Sequence, residues 1–297
     1  MRKIILGFVA LMLFISLSAD VKIKETYSSS FGFVGGNKGE RTTFIKGHKQ
    51  RIEETYEITG AFSMMVSKGK TMHMATITDI DRDISYHIDL DKGTYSEFKN
   101  SDIKDKTDYK EEKDSDKTKF EFDIKDMKKT EVINGFTTKY YVATMKIISN
   151  DDIDTLQIKE DMWMAQNVPG YSTIKEFNKV MYGKNSKALK GMDKNNKGNK
   201  DMGYLKEFYT KVSEIKGYPI KTVIKMISNT KEEESDEEES PSIGSMMKMI
   251  GKKSESSKEN KDKETVIFKA TSEVKSIVEF SIDDKTFKLN KEWKKVN

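Results

Sequence analysis

The sequence predicts an α+β protein in which a curved antiparallel β-sheet is covered on its inner face by two helices. Three observations predict this class. Apolar and polar residues alternate with period two in run after run along the chain. The period changes to that of a helix in two neighbouring stretches. Those stretches come late and together, after a long series of strands, rather than alternating with them as in a parallel sheet.

The clearest strand pair is Arg82 to Phe98. Ile84, Tyr86, Ile88 and Leu90 alternate with Ser85, His87 and Asp89, and Asp91-Lys92-Gly93 supplies turn residues before Thr94 to Phe98 leads back. This is a hairpin with one apolar face.

In chain order, Met1 to Ala19 opens with Arg2 and Lys3, continues as an apolar run from Ile4 to Leu17 and ends in small residues. The run of 14 is shorter than the roughly 20 residues of a membrane-spanning helix, so the segment reads as a cleavable secretory signal. No cysteine follows it, which excludes lipid attachment at that residue. The expected mature protein is periplasmic or secreted, without a transmembrane segment.

Val21 to Phe33, Arg41 to Lys46 and Gln50 to Ile58 read as three antiparallel strands, with a flexible turn at Gly35-Gly36-Asn37-Lys38-Gly39. Ser63 to Val66 and Thr71 to Thr78 precede the hairpin. Thr118 to Ile124, Thr137 to Ile148 (after an Asn134-Gly135 turn) and Thr155 to Ala165 complete the first series, expected as a meander. Thr173 and Glu176 have capping-box spacing, and Ile174, Phe177, Val180 and Met181 fall on one stripe of a helix from about Thr173 to Tyr182. A second helix from about Met202 to Ile215 carries Leu205, Phe208, Tyr209 and Val212 and stops at Gly217. Strands return at Ile220 to Ser228 and Glu264 to Ile282, and Phe287, Leu289 and Trp293 close the chain. One domain, residues 20–297, is expected, with charged flexible insertions at about 99–117, 184–200 and 229–263.

Composition excludes several classes. The absence of cysteine removes disulfides, thiolate metal sites and a cysteine nucleophile. Without Arg2 and Lys3 the basic residues fall from 53 to 51 against 49 acids, leaving +2. Only Arg41, Arg51 and Arg82 remain as arginines, so a nucleic-acid partner is not expected.

No cluster announces a reaction. Met64, Met65, Met72, His73 and Met74 include soft copper ligands, but on a strand Met72 and Met74 share one face while His73 points to the other. Filling apolar space is the simpler role for these methionines. Asp79, Asp81 and Asp83 begin like a calcium loop, yet Ile84 and Leu90 stand where Gly and a bidentate Glu are required. His48, His73 and His87 lie in no catalytic pattern, and no Gly-rich phosphate loop is present. An enzyme is not expected, nor a metal or cofactor.

The remaining candidate is the apolar face itself, formed by Tyr86, Ile88, Leu90, Tyr141, Met145, Trp163, Phe268 and Phe280 with Phe177 and Phe208 from the helices. These side chains either fill one another's space as a core or leave a groove for an acyl chain or apolar peptide.

Several motifs resemble a known family. Ile88-Asp89-Leu90-Asp91-Lys92-Gly93-Thr94-Tyr95, Asp161-Met162-Trp163-Met164 with Pro169-Gly170 before a helix, Gly217-Tyr218-Pro219-Ile220-Lys221-Thr222 and Ile282-Asp283-Asp284-Lys285-Thr286-Phe287 resemble the uncharacterised secreted bacterial family DUF4412. More distantly, Val66-Ser67-Lys68-Gly69-Lys70-Thr71-Met72 is similar to a hairpin of the LolA/LolB lipoprotein carriers. That resemblance implies an incomplete barrel holding acyl chains under a helical lid, with a lipid, acyl chain or lipoprotein as partner. The place of the carriers' cavity arginine reads here as Gly47. The expected function is therefore non-enzymatic binding of a hydrophobic ligand or envelope component. The alternative is an envelope interaction module with a solid core.

Overall fold

The computed structural model describes residues 19–32, 34–60, 63, 69–100, 119–148, 154–181, 208, 210–230 and 265–296. The expected leader, the three charged insertions, Met64 and Met65 lie wholly or almost wholly outside the described residues.

Alternation makes long strands here: β1 (Val21–Phe31), β2 (Gly35–Lys46), β3 (Lys49–Thr59), β4 (Thr71–Asp79), β5 (Ile84–Asp89), β6 (Thr94–Lys99), β7 (Lys119–Ile133), β8 (Phe136–Ile148), β9 (Asp154–Ala165), β10 (Tyr218–Thr230), β11 (Thr265–Glu279) and β12 (Lys294–Lys295). They join one open sheet in the order β12-β6-β5-β4-β3-β2-β1-β11-β10-β9-β8-β7. Every pair is antiparallel except the short β12–β6 contact. Two meanders, β1 to β6 and β7 to β11, meet where β1 pairs with β11. The expected single meander is thus corrected: β7 follows β6 in sequence but lies at the opposite end of the sheet.

Residues 171–181 form helix α1, and residues 208 and 210–213 are helical in α2. The capping-box expectation placed the start of α1 two residues late. Ile174 N–H bonds the Gly170 carbonyl, so the helix is already under way at Thr173, whose hydroxyl donates instead to the Ala19 carbonyl at 2.9 Å.

The expected turn at Gly35 to Gly39 is also corrected, because these residues pair throughout with β1 and, from Gly36 on, with β3. Glycine is required there for closeness rather than turning: a Cβ on Gly36 would overlap the Ser29 carbonyl, and one on Gly39 would lie 2.7 Å from Tyr56 Cβ. The Asn134-Gly135 turn is as expected, with φ of 50° and 86°. β7 runs past Ile124 to Ile133 because an irregularity between Asp126 and Thr130 lets pairing resume after a break. Lys119, Lys125, Lys128 and Lys129 charge this edge strand, which disfavours pairing with another chain.

Strand register divides the sheet into two faces. Val21 and Ile23 of β1, Ile45 of β2, and Val274 and Ile277 of β11 pack with Ile174 and Phe177 of α1. Ala143 and Met145 of β8 and Met162 and Met164 of β9 pack with Phe208 of α2 on that same face, called here the helix face. The other face is covered over β4 to β6 by the C-terminal segment, in which Ile282, Phe287, Leu289 and Trp293 pack on Ala75, Ile77, Tyr86 and Ile88. Phe287 belongs to a short 3-10 helix (Asp284–Phe287) capped by the Asp283 carboxylate. This is the tail face. Asp20 anchors the tail by accepting the Ile282 N–H at 2.8 Å on its carboxylate and the Phe280 N–H on its carbonyl.

Candidate functional site

The ten sequence-predicted residues do not share one face. Ile88 is fully buried on the tail face, with Tyr86 and Leu90 packed around the same cluster. All three were expected beneath the helices. The error has a simple cause, since period-two alternation assigns a residue to one of two faces without saying which face a distant helix covers. Trp163 also points to the tail-face side: it stacks on Tyr140 at 4.7 Å and donates to Glu131 at 3.0 Å. Phe280 lies beyond the end of β11 and is 42% exposed, because the strand stops at Glu279 rather than Ile282.

Tyr141, Met145, Phe177, Phe208 and Phe268 do belong to the helix face. Phe177, Phe208 and Met145 are buried and fill core. Phe268 is half-buried and packs on Phe31, ring centroids 4.6 Å apart.

Register places Phe268 in a longer arrangement. Phe122, Met145, Ile158, Met226, Phe268 and Phe31 are paired neighbours on six consecutive strands from β7 to β1. Five strand spacings of about 4.8 Å make this an apolar row of about 24 Å. Its β7 end lies under α2, while Met226 and Phe268 are half-buried and Phe31 is 54% exposed.

The next row along the strands carries Ala143, Glu160, Ile224, Ala270, Ser29 and Asn37. Glu160 is the one acid in it, and burial raises its carboxyl pKa above the ordinary value. The sign follows directly. A raised pKa means that the charged form is penalised in the folded protein, so the cost to stability is present above the folded pKa and disappears below the ordinary glutamate range. Glu160→Gln should therefore raise the urea midpoint at pH 7, with the gain shrinking as the pH is lowered through that range. A gain that stays constant with pH would show that charge is not its cause.

Two rows further on, the face becomes polar. Arg41 of β2 donates through Nη1 to Glu25 at 2.8 Å and through Nε to Glu54 at 2.6 Å, and its guanidinium lies 4.9 Å from the Tyr27 ring centroid. Burial opposes its charge, but Glu25 and Glu54 raise its pKa overall. Burial, with Glu54 nearby, pushes the Tyr27 hydroxyl up to about 12, and burial raises Tyr218 beside the same group. A concave pocket of about 370 Å³ opens here, lined by Tyr27, Asn37, Arg41, Glu54, Tyr56 and His87 among others. His87 stacks on Phe98 at 4.7 Å at its far side.

Of these polar pocket residues, Arg41 was named from the sequence as one of three arginines and His87 as a histidine in no catalytic pattern, neither as part of a site. One signal was available: the alternation of β1 puts Glu25 on the same side as Val21 and Ile23, an acid on an otherwise apolar face.

The other constellations resolve locally. His73 faces away from Met72 and Met74, and its Nδ1 lies 2.8 Å from the Asp91 carboxylate. Asp79 accepts the Arg82 N–H and Asp81 meets His48 at 2.9 Å, which is turn chemistry. Among the described residues no helix is long and apolar enough to cross a membrane.

The fold and site together define an open, mostly antiparallel β-sheet protein with two helices, an apolar row across one face and, six residues further along β1 and β2 on that face, a paired arginine. No protein-family model matches the chain, and no curated protein matches it.

Proposed function

We propose that this protein acts outside the cytoplasm as a non-enzymatic carrier or receptor for a hydrophobic ligand, held on the helix face in the manner of the LolA/LolB-like carriers that one of its hairpins resembles. The observation that carries this reading is the apolar row from Phe122 to Phe31, whose Met226, Phe268 and Phe31 remain partly accessible. A row of this length on one face is a surface that a chain-like apolar molecule can cover. The solid-core alternative accounts for the three packed clusters but gives this accessible end no role.

The test is recovery of the full-length protein from its own cells, followed by solvent extraction and mass spectrometry of bound small molecules. The expected result is a stoichiometric lipid or other acyl compound, much reduced in Met226→Glu and Phe268→Glu. A protein that emerges empty and does not take up the apolar dye N-phenyl-1-naphthylamine would overturn the reading.

A further inference from the structure

The residues that follow the expected leader are built into the fold from the first one or two onward. Val21, which opens β1, is fully buried and pairs with Ile45 of β2 and Glu279 of β11. Asp20 holds the tail: its carboxylate accepts the Ile282 N–H at 2.8 Å and lies 3.7 Å from Lys46 Nζ, and its carbonyl accepts the Phe280 N–H at 3.1 Å. Ala19 reaches α1, because its carbonyl accepts the Thr173 hydroxyl at 2.9 Å. Three successive residues thus tie α1, the tail and β1 together where the mature chain is expected to begin.

These contacts restrict where a leader can be removed without loss to the fold. A cut after Asp20 would take away the acid that anchors the tail. A cut after Ala19, the boundary expected from the sequence, would take away the carbonyl that Thr173 bonds. It would also put the new α-ammonium of Asp20 in that place, beside the first turn of α1, where the helix dipole disfavours positive charge. A cut one bond earlier keeps all three anchoring residues.

The pattern of small residues selects a bond independently. Leader endopeptidases take small residues at the last and third-last positions of the leader. Ser18 and Ser16 satisfy both positions for a cut between Ser18 and Ala19. Cuts after Ser16, Leu17, Ala19 or Asp20 would each place a large or charged residue at one of the two: Phe14, Leu17, Leu17 and Asp20 respectively. The endopeptidase acts on the chain before it folds, so the folded contacts do not steer it. Two separate constraints therefore meet at one bond.

We propose that the Ser18–Ala19 peptide bond is the processing site and that the mature protein begins at Ala19, one residue before the boundary expected from the sequence. A leader endopeptidase hydrolyses this bond with water: the Ser18 carbonyl carbon gains the water oxygen and leaves as a carboxylate, and the amide nitrogen becomes the Ala19 α-ammonium. The inference rests on the extracytoplasmic part of the reading above and is independent of the ligand. Processing at this bond leaves the joint between α1, the tail and β1 whole.

The experiment is expression of the full-length chain in bacteria, followed by cell fractionation, intact mass measurement and N-terminal sequencing. A single extracytoplasmic chain that starts Ala19-Asp20-Val21 is expected, and Ser18→Leu should remove most of it in favour of the uncut precursor. An exported chain that starts at Asp20, or at any residue other than Ala19, would overturn the site and leave export in place. A chain that keeps Met1 and stays in the cytoplasm would overturn the extracytoplasmic reading and the site together. The structural constraint is read separately in the purified mature protein. Thr173→Val keeps the side-chain shape without the hydroxyl and should lower the urea midpoint by about 0.3–0.5 M, the effect of one hydrogen bond. An unchanged midpoint would overturn the structural basis for placing the cut before Ala19.

Discussion

Phe177→Ala should lower the unfolding free energy by about 3–5 kcal/mol, the range for removing a buried phenylalanine. Phe177 is 2% exposed, and its cluster joins α1 to β1, β2, β10 and β11, elements from both meanders. Its loss would leave a cavity bounded by paired backbone that has little freedom to collapse. Phe280→Ala is the control. Its ring is largely outside the packing, and the backbone bond to the Asp20 carbonyl does not need it, so a change within about 0.5 kcal/mol is expected. Urea denaturation of both variants tests the assignment, and similar losses in the two would show that α1 is not seated on the sheet as described.

Gly170→Ala should be nearly as damaging. Gly170 has φ of +65°, and a Cβ there would overlap the Val21 Cγ2 methyl in the centre of the sheet. Left-handed backbone at a residue with a side chain costs about 1–3 kcal/mol and overpacking about 1–3 kcal/mol, giving roughly 2–6 kcal/mol in total. The two contributions are separable. In a Val21→Ala background the overlap disappears and only the backbone cost remains, so the two substitutions should show a clear favourable coupling. Strict additivity would mean that the approach of Gly170 to β1 is looser than described. Gly170 N–H also donates to the Glu279 carboxylate, which fixes the start of α1 against the end of β11.

Legibility followed the range of the interactions. The hairpin of β5 and β6, the Asn134-Gly135 turn and strands β8 and β9 depend on neighbours within a few residues, and each lay in the sequence within one or two positions of its place. The helix stripe of Ile174 and Phe177 was equally local, and both residues are in the core. Gly35 to Gly39 was misread because glycine signals both a turn and a close backbone approach, and the approaching chains, β1 and β3, are separate strands. The candidate site was legible only in part. Tyr141, Met145, Phe177, Phe208 and Phe268 were found on the helix face, whereas Tyr86, Ile88, Leu90 and Trp163 were placed with them because alternation is blind to which face a remote segment covers.

Residue order alone dictated that strand is the chief regular structure of this chain, that two amphipathic helices must cover some of it, and that thiol chemistry is excluded. Those properties arise from side-chain periodicity and residue type, which act over a few residues. Tertiary structure alone decided that β1 lies beside β11, that the tail rather than a helix covers Tyr86 and Ile88, and that six residues from six strands line up from Phe122 to Phe31. It also decided that Arg41 stands between Glu25 and Glu54, 16 and 13 residues away in the chain. Cross-strand register brings such partners together, and register is set by the whole sheet closing over its buried clusters rather than by any one segment.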